Sequence, residues 1–174
     1  NAGPSVLAGK QCSPWFFNTA WQNDNNHEAT GAWVQEKGYK NVYLLAPNYP
    51  AGKDALTGFK RYYKGAVAGE VYTPLDQMDF AAELANLRAA GPDATFIFFP
   101  GGQGINFIKQ YDQAGLKQQI PLFGAAFSFS QDILPAVGDA AVGAVNGSQW
   151  SPDLDNPINK AFVPAFQAKY GRLP

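Results

Sequence analysis

Thr95-Phe96-Ile97-Phe98-Phe99-Pro100-Gly101-Gly102-Gln103-Gly104 is the stretch that decides the fold. Thr95 to Phe99 shows no alternation of polar and apolar residues, as expected of a central parallel strand covered by helices on both faces. Glycines end the run. Ile105, Ile108 and Tyr111 then recur at helical spacing until Gly115, so a buried strand passes into a helix through a glycine-rich turn.

The same unit repeats on either side. Upstream, Asn41 to Ala46 predicts a strand, Leu56, Phe59 and Tyr63 share one helical face, and Ala66 to Tyr72 predicts a second strand. Asp79 can cap a helix carrying Phe80, Leu84 and Leu87, and Gly91-Pro92 stops it. Downstream, Ile120 to Phe123 predicts a short strand, Ser128 or Ser130 a helix cap, and Ala140 to Val145 a last strand. Strands alternating with helical segments specify an α/β fold with a parallel sheet. The two ends fit this scheme less well. Trp15-Phe16-Phe17 reads as a strand and Glu28 to Lys37 as a helix, neither with an obvious local neighbour. Beyond a polar connection, Asn156-Pro157 opens a helix whose Ile158, Phe162, Phe166 and Tyr170 form an apolar stripe that needs a partner. A complete inner domain between two orphaned pieces is what a chain crossing more than once between two lobes produces.

Composition narrows the function classes. The 174 residues are 46% hydrophobic and 16% charged, with 13 basic and 14 acidic side chains intermixed and a net charge of −1. No Lys/Arg run can track phosphates, so nucleic acid is not expected as a partner. No apolar stretch approaches the roughly 20 residues that span a bilayer. Cys12 is the single cysteine, which excludes an internal disulfide, and a buried thiol is expected ahead of a bridge to another segment. The start, Asn1-Ala2-Gly3-Pro4, has neither an initiator Met nor a signal peptide's basic and apolar regions, so a processed, truncated or trimmed chain is expected.

Catalytic chemistry finds little support. His27 is the sole histidine, with no second ligand or nucleophile at a motif spacing, and reads as a solvated surface residue. No catalytic residue, metal or cofactor is expected. Gly101-Gly102-Gln103-Gly104 lacks the Gly-Lys-Ser/Thr of a Walker loop, and Phe107 stands where a dinucleotide fingerprint needs its third glycine. The glycines do let a backbone approach a ligand and aim free N–H groups at an anion, although a tight turn alone also accounts for them. Asn48-Tyr49-Pro50-Ala51-Gly52 and Ala125-Ala126-Phe127 follow strands in the same way. Ligands of open parallel sheets bind outside the strands' carboxyl ends, so Tyr49, Gly102 and Phe127 should share a rim. Trp21, amid polar residues, can stack on a flat ligand, with core packing as the alternative for the aromatic cluster it shares with Trp15, Phe16 and Phe17.

Several motifs in order resemble the periplasmic solute-binding proteins of branched-chain amino acid type, the receptor components of ABC importers with the type I binding-protein fold. They are Phe17-Asn18-Thr19 before a polar helix start, Asn48-Tyr49-Pro50-Ala51-Gly52, Asp79-Phe80 before Glu83-Leu84, Pro100-Gly101-Gly102 leading to Gly115-Leu116, and Tyr170-Gly171-Arg172-Leu173-Pro174. The resemblance implies a parallel-sheet sandwich lobe of a two-lobed protein, present as a fragment. It assigns residues 1–38 to part of the N-terminal lobe, 39–147 to the C-terminal lobe, and 148–174 to a crossover and a helix returning to the first lobe. Hinges are expected near Lys37 to Asn41 and Asn146 to Trp150. It also implies a periplasmic location, a small-molecule ligand and a permease in the inner membrane as partners. Ligand-facing positions would be Asn1, Ala2, Trp21, Asn23, Tyr49, Gly101, Gly102, Gln103, Ala126 and Phe127.

One departure bears on the ligand. Amino-acid receptors of the family place an acidic residue in the loop after the last inner strand, whereas here it reads Gly124-Ala125-Ala126-Phe127-Ser128-Phe129. Such a loop cannot neutralise an ammonium group but can cover a ring. The sequence resembles the subgroup that takes aromatic carboxylates. A branched-chain amino acid receptor, the ligand-sensing domain of a regulatory receptor and a flavodoxin-like enzyme are the alternatives. A fragment exposing the Phe162 and Phe166 face and the cut edge of a lobe could also associate with a second copy.

Overall fold

A computed structural model describes residues 3–174; Asn1 and Ala2, two of the expected ligand-facing positions, lie outside the described residues. The core is a five-stranded parallel sheet in the order β2-β1-β3-β4-β5, built from β1 (Asn41–Pro47), β2 (Ala66–Thr73), β3 (Ala94–Ile97), β4 (Leu122–Ala125) and β5 (Val145–Gly147). The α/β fold expected from the strand and helix alternation is therefore present. Side chains alternate across each strand. Val42, Leu44 and Ala46 face a cluster with Leu56, Phe59 and Phe96, while Tyr43 and Leu45 face one with Phe80, Leu87, Ile97, Phe99 and Phe107.

Helices cover both faces. On the first lie α1 (Asn25–Glu36) and α2 (Pro50–Tyr62). On the second lie α3 (Ala81–Ala90), α4 (Gly102–Gln113) and the single turn α5 (Leu134–Val137). Pro50 opens α2 at its first position, where a missing N–H costs nothing. The N-cap of α3 is Phe80 rather than the expected Asp79, whose Oδ1 accepts from the Ala81 amide from one residue further out, while Gly91 ends α3 in the left-handed conformation (φ +57°), as Gly91-Pro92 predicts.

Four more expectations are corrected. Trp15-Phe16-Phe17 forms no strand; Trp15 and Phe17 are 87% and 83% exposed, and only short turns order this segment. The last strand is Val145–Gly147, because Gly138–Ala141 is taken up by a 3₁₀ turn. Neither Ser128 nor Ser130 caps through its side chain: Ser128 Oγ instead accepts from the Phe99 amide at 3.2 Å, and the Ser130 carbonyl accepts from Ile133. The fourth concerns the helix expected at Glu28 to Lys37, which does have a neighbour in the sheet.

The helix α1 does not stand apart from the sheet. Val34 is fully buried in the same cluster as Val42 and Phe96. A Cβ at Gly31 would overlap the Phe59 carbonyl of α2, and one at Gly147 would overlap Thr30. Asp93 Oδ2 accepts from the amides of both Lys40 and Asn41. The segment Lys37 to Asn41 thus links α1 to a strand of the sheet that α1 itself packs against. By contrast α6 (Pro157–Tyr170), capped by Asn156 Oδ1 accepting from Asn159 at 2.8 Å, keeps its stripe uncovered, with Ile158 83% exposed.

Candidate functional site

At the carboxyl edge of the sheet, the chain leaves β1 for α2 on one face and leaves β3 for α4 on the other. A crevice therefore opens between these two strand ends, where α/β proteins bind ligands. Tyr49 flanks it on the α2 side: half-buried, preceding Pro50, with burial raising its phenol above the ordinary pKa. Gly101, Gly102 and Gly104 flank it on the α4 side, each for a different reason. Gly101 caps α4 at φ +62°. Gly104 lies so close to the Phe99 carbonyl that a Cβ would overlap it. Gly102 is held by neither constraint, since its nearest neighbour for a Cβ is Met78 Cε at 3.9 Å. It leaves the first amides of a twelve-residue helix uncovered, an arrangement suited to a carboxylate.

Gln103, expected at the rim, turns into the fold. It is 8% exposed, and its Nε2 donates to the Pro74 carbonyl at 2.7 Å and to the Gln77 carbonyl at 3.3 Å. Its side chain anchors the loop between β2 and α3, which leaves its backbone amide as its contribution to the rim.

A second wall stands over β4. Trp21, in the segment before α1, and Phe127, in the 3₁₀ turn Ala126–Phe129, are 39% and 46% exposed with ring centroids 6.1 Å apart. Asn23 sits beneath Trp21: its amide donates to the Gly3 carbonyl, its Oδ1 accepts from Gly3, and its Nδ2 donates to Asp54 Oδ2 at 3.0 Å. Its polar groups hold the segment together and tie it to α2. Ala126 has a left-handed backbone, φ +52°.

Two further expectations are corrected here. His27 is 2% exposed rather than solvated, edge-on to Phe98 at 4.8 Å between ring centroids. Burial depresses its pKa to about 4 against the opposing charge of Asp24, and its Nδ1 has no hydrogen-bond partner. Burial works to raise the nearby Asp24 carboxyl, but hydrogen bonds from Gln22 and Arg61 outweigh it and hold the group below its usual value. Cys12 is exposed and free, not buried. Among the described residues no group of three or more His, Cys, Asp and Glu side chains gathers to hold a metal ion. A cleft of about 700 Å³ runs instead between α3 and α4. Its Gln110 is committed to the Phe80 amide and the Met78 carbonyl, and its Arg88 to the Ala114 carbonyl.

Residues 2–174 match the model of the periplasmic binding protein family. The chain belongs to this family. It is 29% identical to a Leu/Ile/Val-binding protein homolog of Brucella melitensis, covering 94% of this chain and 43% of that protein. A solute-binding protein of an ABC transporter from R. palustris, solved in complex with benzoate, is 33% identical with a TM-score of 0.89, covering all of this chain and 48% of its own. A second, from Rhodopseudomonas palustris BisB5 in complex with 3,4-dihydroxybenzoic acid, is 35% identical with a TM-score of 0.84, covering 99% of this chain and 48% of its own. The chain thus spans about half the length of the relatives it matches, as one lobe of the type I binding fold does. Members of this family are the solute-binding proteins of ABC transporters rather than enzymes.

Asn146 and Ser128 are the residues of the rim that sequence reasoning missed. Asn146 Nδ2 donates to the Ala126 carbonyl at 3.1 Å, and Ser128 Oγ accepts from the Phe99 amide just beyond β3. Their roles depend on partners 20 and 29 residues away, which no local pattern announces.

Proposed function

We propose that this lobe captures a small aromatic carboxylate against a second lobe, as the periplasmic component of an ABC importer that presents its ligand to an inner-membrane permease. The observation that carries the proposal is the exposed Trp21–Phe127 wall over β4, whose Phe127 stands in a loop free of carboxylates from Gly124 to Phe129. A ring would lie against these side chains, with Tyr49 across the crevice, and the carboxylate would meet the uncovered amides at Gly101 and Gly102. Two relatives of 33% and 35% identity, each bound to a benzoic acid, support the same ligand class. The missing half of the site would come from the other lobe, with the chain crossing between lobes on either side of residues 24–147.

One observation favours an amino acid instead. Asp54, in the second turn of α2, brings a carboxylate to the rim and uses one oxygen on Asn23, leaving the other for an ammonium group. The test is a thermal-shift comparison of benzoate, 3,4-dihydroxybenzoate and leucine on the two-lobed protein, since a ligand bound only by the native state raises its melting temperature. Stabilisation by the benzoates alone is expected. Stabilisation by leucine alone would transfer the site to the Asp54 reading.

A further inference from the structure

Among the described residues Ala126 is the one non-glycine residue with a positive φ, +52°. A left-handed backbone is unfavourable for any residue with a Cβ and persists where neighbours impose it. Here two side chains do so. Ser128 Oγ accepts from the Phe99 amide and donates to the Ile97 carbonyl at 3.4 Å, fixing the far end of the turn to β3. Asn146 Nδ2, from β5, donates to the Ala126 carbonyl itself. Asn146 stands opposite Gly124 in the parallel ladder, where a Cβ would lie 2.6 Å from the Phe129 ring and 3.1 Å from Asn146 Oδ1. Gly124, Phe129 and Asn146 therefore interlock without space for the turn to slide. What the pinned turn projects is Phe127, the half-exposed partner of Trp21.

Asn146 Oδ1 is buried without a hydrogen-bond partner. An unsatisfied buried acceptor lowers stability, so the half-buried residue does not fit a purely stabilising role, and its Nδ2 is committed to the Ala126 carbonyl.

We infer that Asn146 is a positioning residue for ligand selection: by holding the Ala126 carbonyl it fixes the left-handed turn, aims the Phe127 ring at Trp21, and so sets the aromatic wall of the slot. The ligand class rests on the proposal above; the aim of Phe127 does not.

The experiment has two arms. Asn146→Leu removes the donor together with the unpartnered acceptor at nearly constant volume, and Asn146→Ala serves if Leu disturbs Phe129. In the first arm, NMR contacts between the Trp21 and Phe127 rings are measured in wild type and variant. They are expected to vanish while contacts among Phe96, Phe59 and Leu44 persist; Trp21–Phe127 contacts that survive both substitutions overturn the inference whatever the ligand. In the second arm, benzoate affinity of the two-lobed protein is expected to fall about three- to tenfold in Asn146→Leu, the worth of one hydrogen bond. No further fall is expected when the substitution is added to Phe127→Ala. An equal fall in that background shows that Asn146 acts elsewhere and overturns the inference. Loss of the ring contacts in a protein that never binds benzoate sinks the aromatic-acid proposal and leaves the positioning role standing.

Discussion

His27 shows how one residue's surroundings set a property of the whole chain. Its ring is enclosed by Phe96, Phe98 and the first turn of α1, and it stays neutral down to a pKa of about 4, against an ordinary value of 6.5. Between these values the unfolded chain binds a proton that the folded chain refuses. The stabilising preference for the folded state is therefore complete above pH 6.5 and is lost as pH falls toward 4. By pH 5 the loss should reach roughly 2 kcal/mol, because lowering the pH by one between those two values costs the folded state about 1.4 kcal/mol. Urea midpoints at about pH 7.5 and pH 5 measure it, and the Asp24 carboxyl, held below its usual value, contributes only at lower pH. His27→Leu should flatten the difference; an unchanged decline in that variant would assign the acid sensitivity to other groups. The sequence concealed this histidine because Asn25, Asn26 and Glu28 surround it with polar neighbours. Asn26 and Thr30 are themselves buried, and they face inward because they find partners: Asn26 donates to Gln149, and Thr30 Oγ1 to the Asn26 carbonyl. Polarity marks exposure only where no tertiary partner is available.

At the scale of elements, legibility followed locality. The strands β1, β2 and β3 and the helices α2, α3 and α4 were readable because hydrophobic period, caps and glycine stops lie within a few residues of one another. The short β5 was placed too early because Ala140 to Val145 has a strand's composition, while Gly138 and Gly143, both at positive φ, spend that segment on turns. The packing of α1 on the sheet was not legible for a related reason: its packing face is made of Gly31, Thr30 and Val34 rather than a broad apolar stripe. Gly31 lets α1 and α2 approach until no side chain fits between them. Gly31→Ala puts a methyl into the Phe59 carbonyl and forces the helices apart, which should cost about 1–3 kcal/mol as overpacking does, despite alanine's better helix propensity. Equilibrium unfolding of the chain measures this. A variant as stable as wild type would show that the α1–α2 contact is looser than the structure indicates.

At the scale of the molecule, the rim was legible as a set of loops on one edge but not as a slot, since the contacts that shape it join residues such as Trp21, Ala126 and Asn146 across the whole chain. The same scale governs α6. Ile158, Phe162, Phe166 and Tyr170 lie along one side of the helix, with successive aromatic centroids 5.7 Å and 4.5 Å apart; Trp150 meets Phe162 at one end, the cationic side chains of Arg172 and Lys169 lie over Phe166 and Tyr170, and Ile158 stays 83% exposed. An apolar stripe of this kind, left in water, tends to bury itself against another surface. Taken alone, the chain is expected to self-associate through it, with a weight-average mass that rises with concentration in light-scattering chromatography. Ile158→Glu combined with Phe162→Glu should return it to 18.8 kDa, since two buried charges would face each other across the pair. Because the chain covers only 43–48% of its longer relatives, the same stripe would be occupied within a two-lobed protein, whose mass should not depend on concentration. A chain that remains monomeric at all concentrations would mean that the aromatic ladder satisfies itself, and α6 would then need no second lobe to cover it.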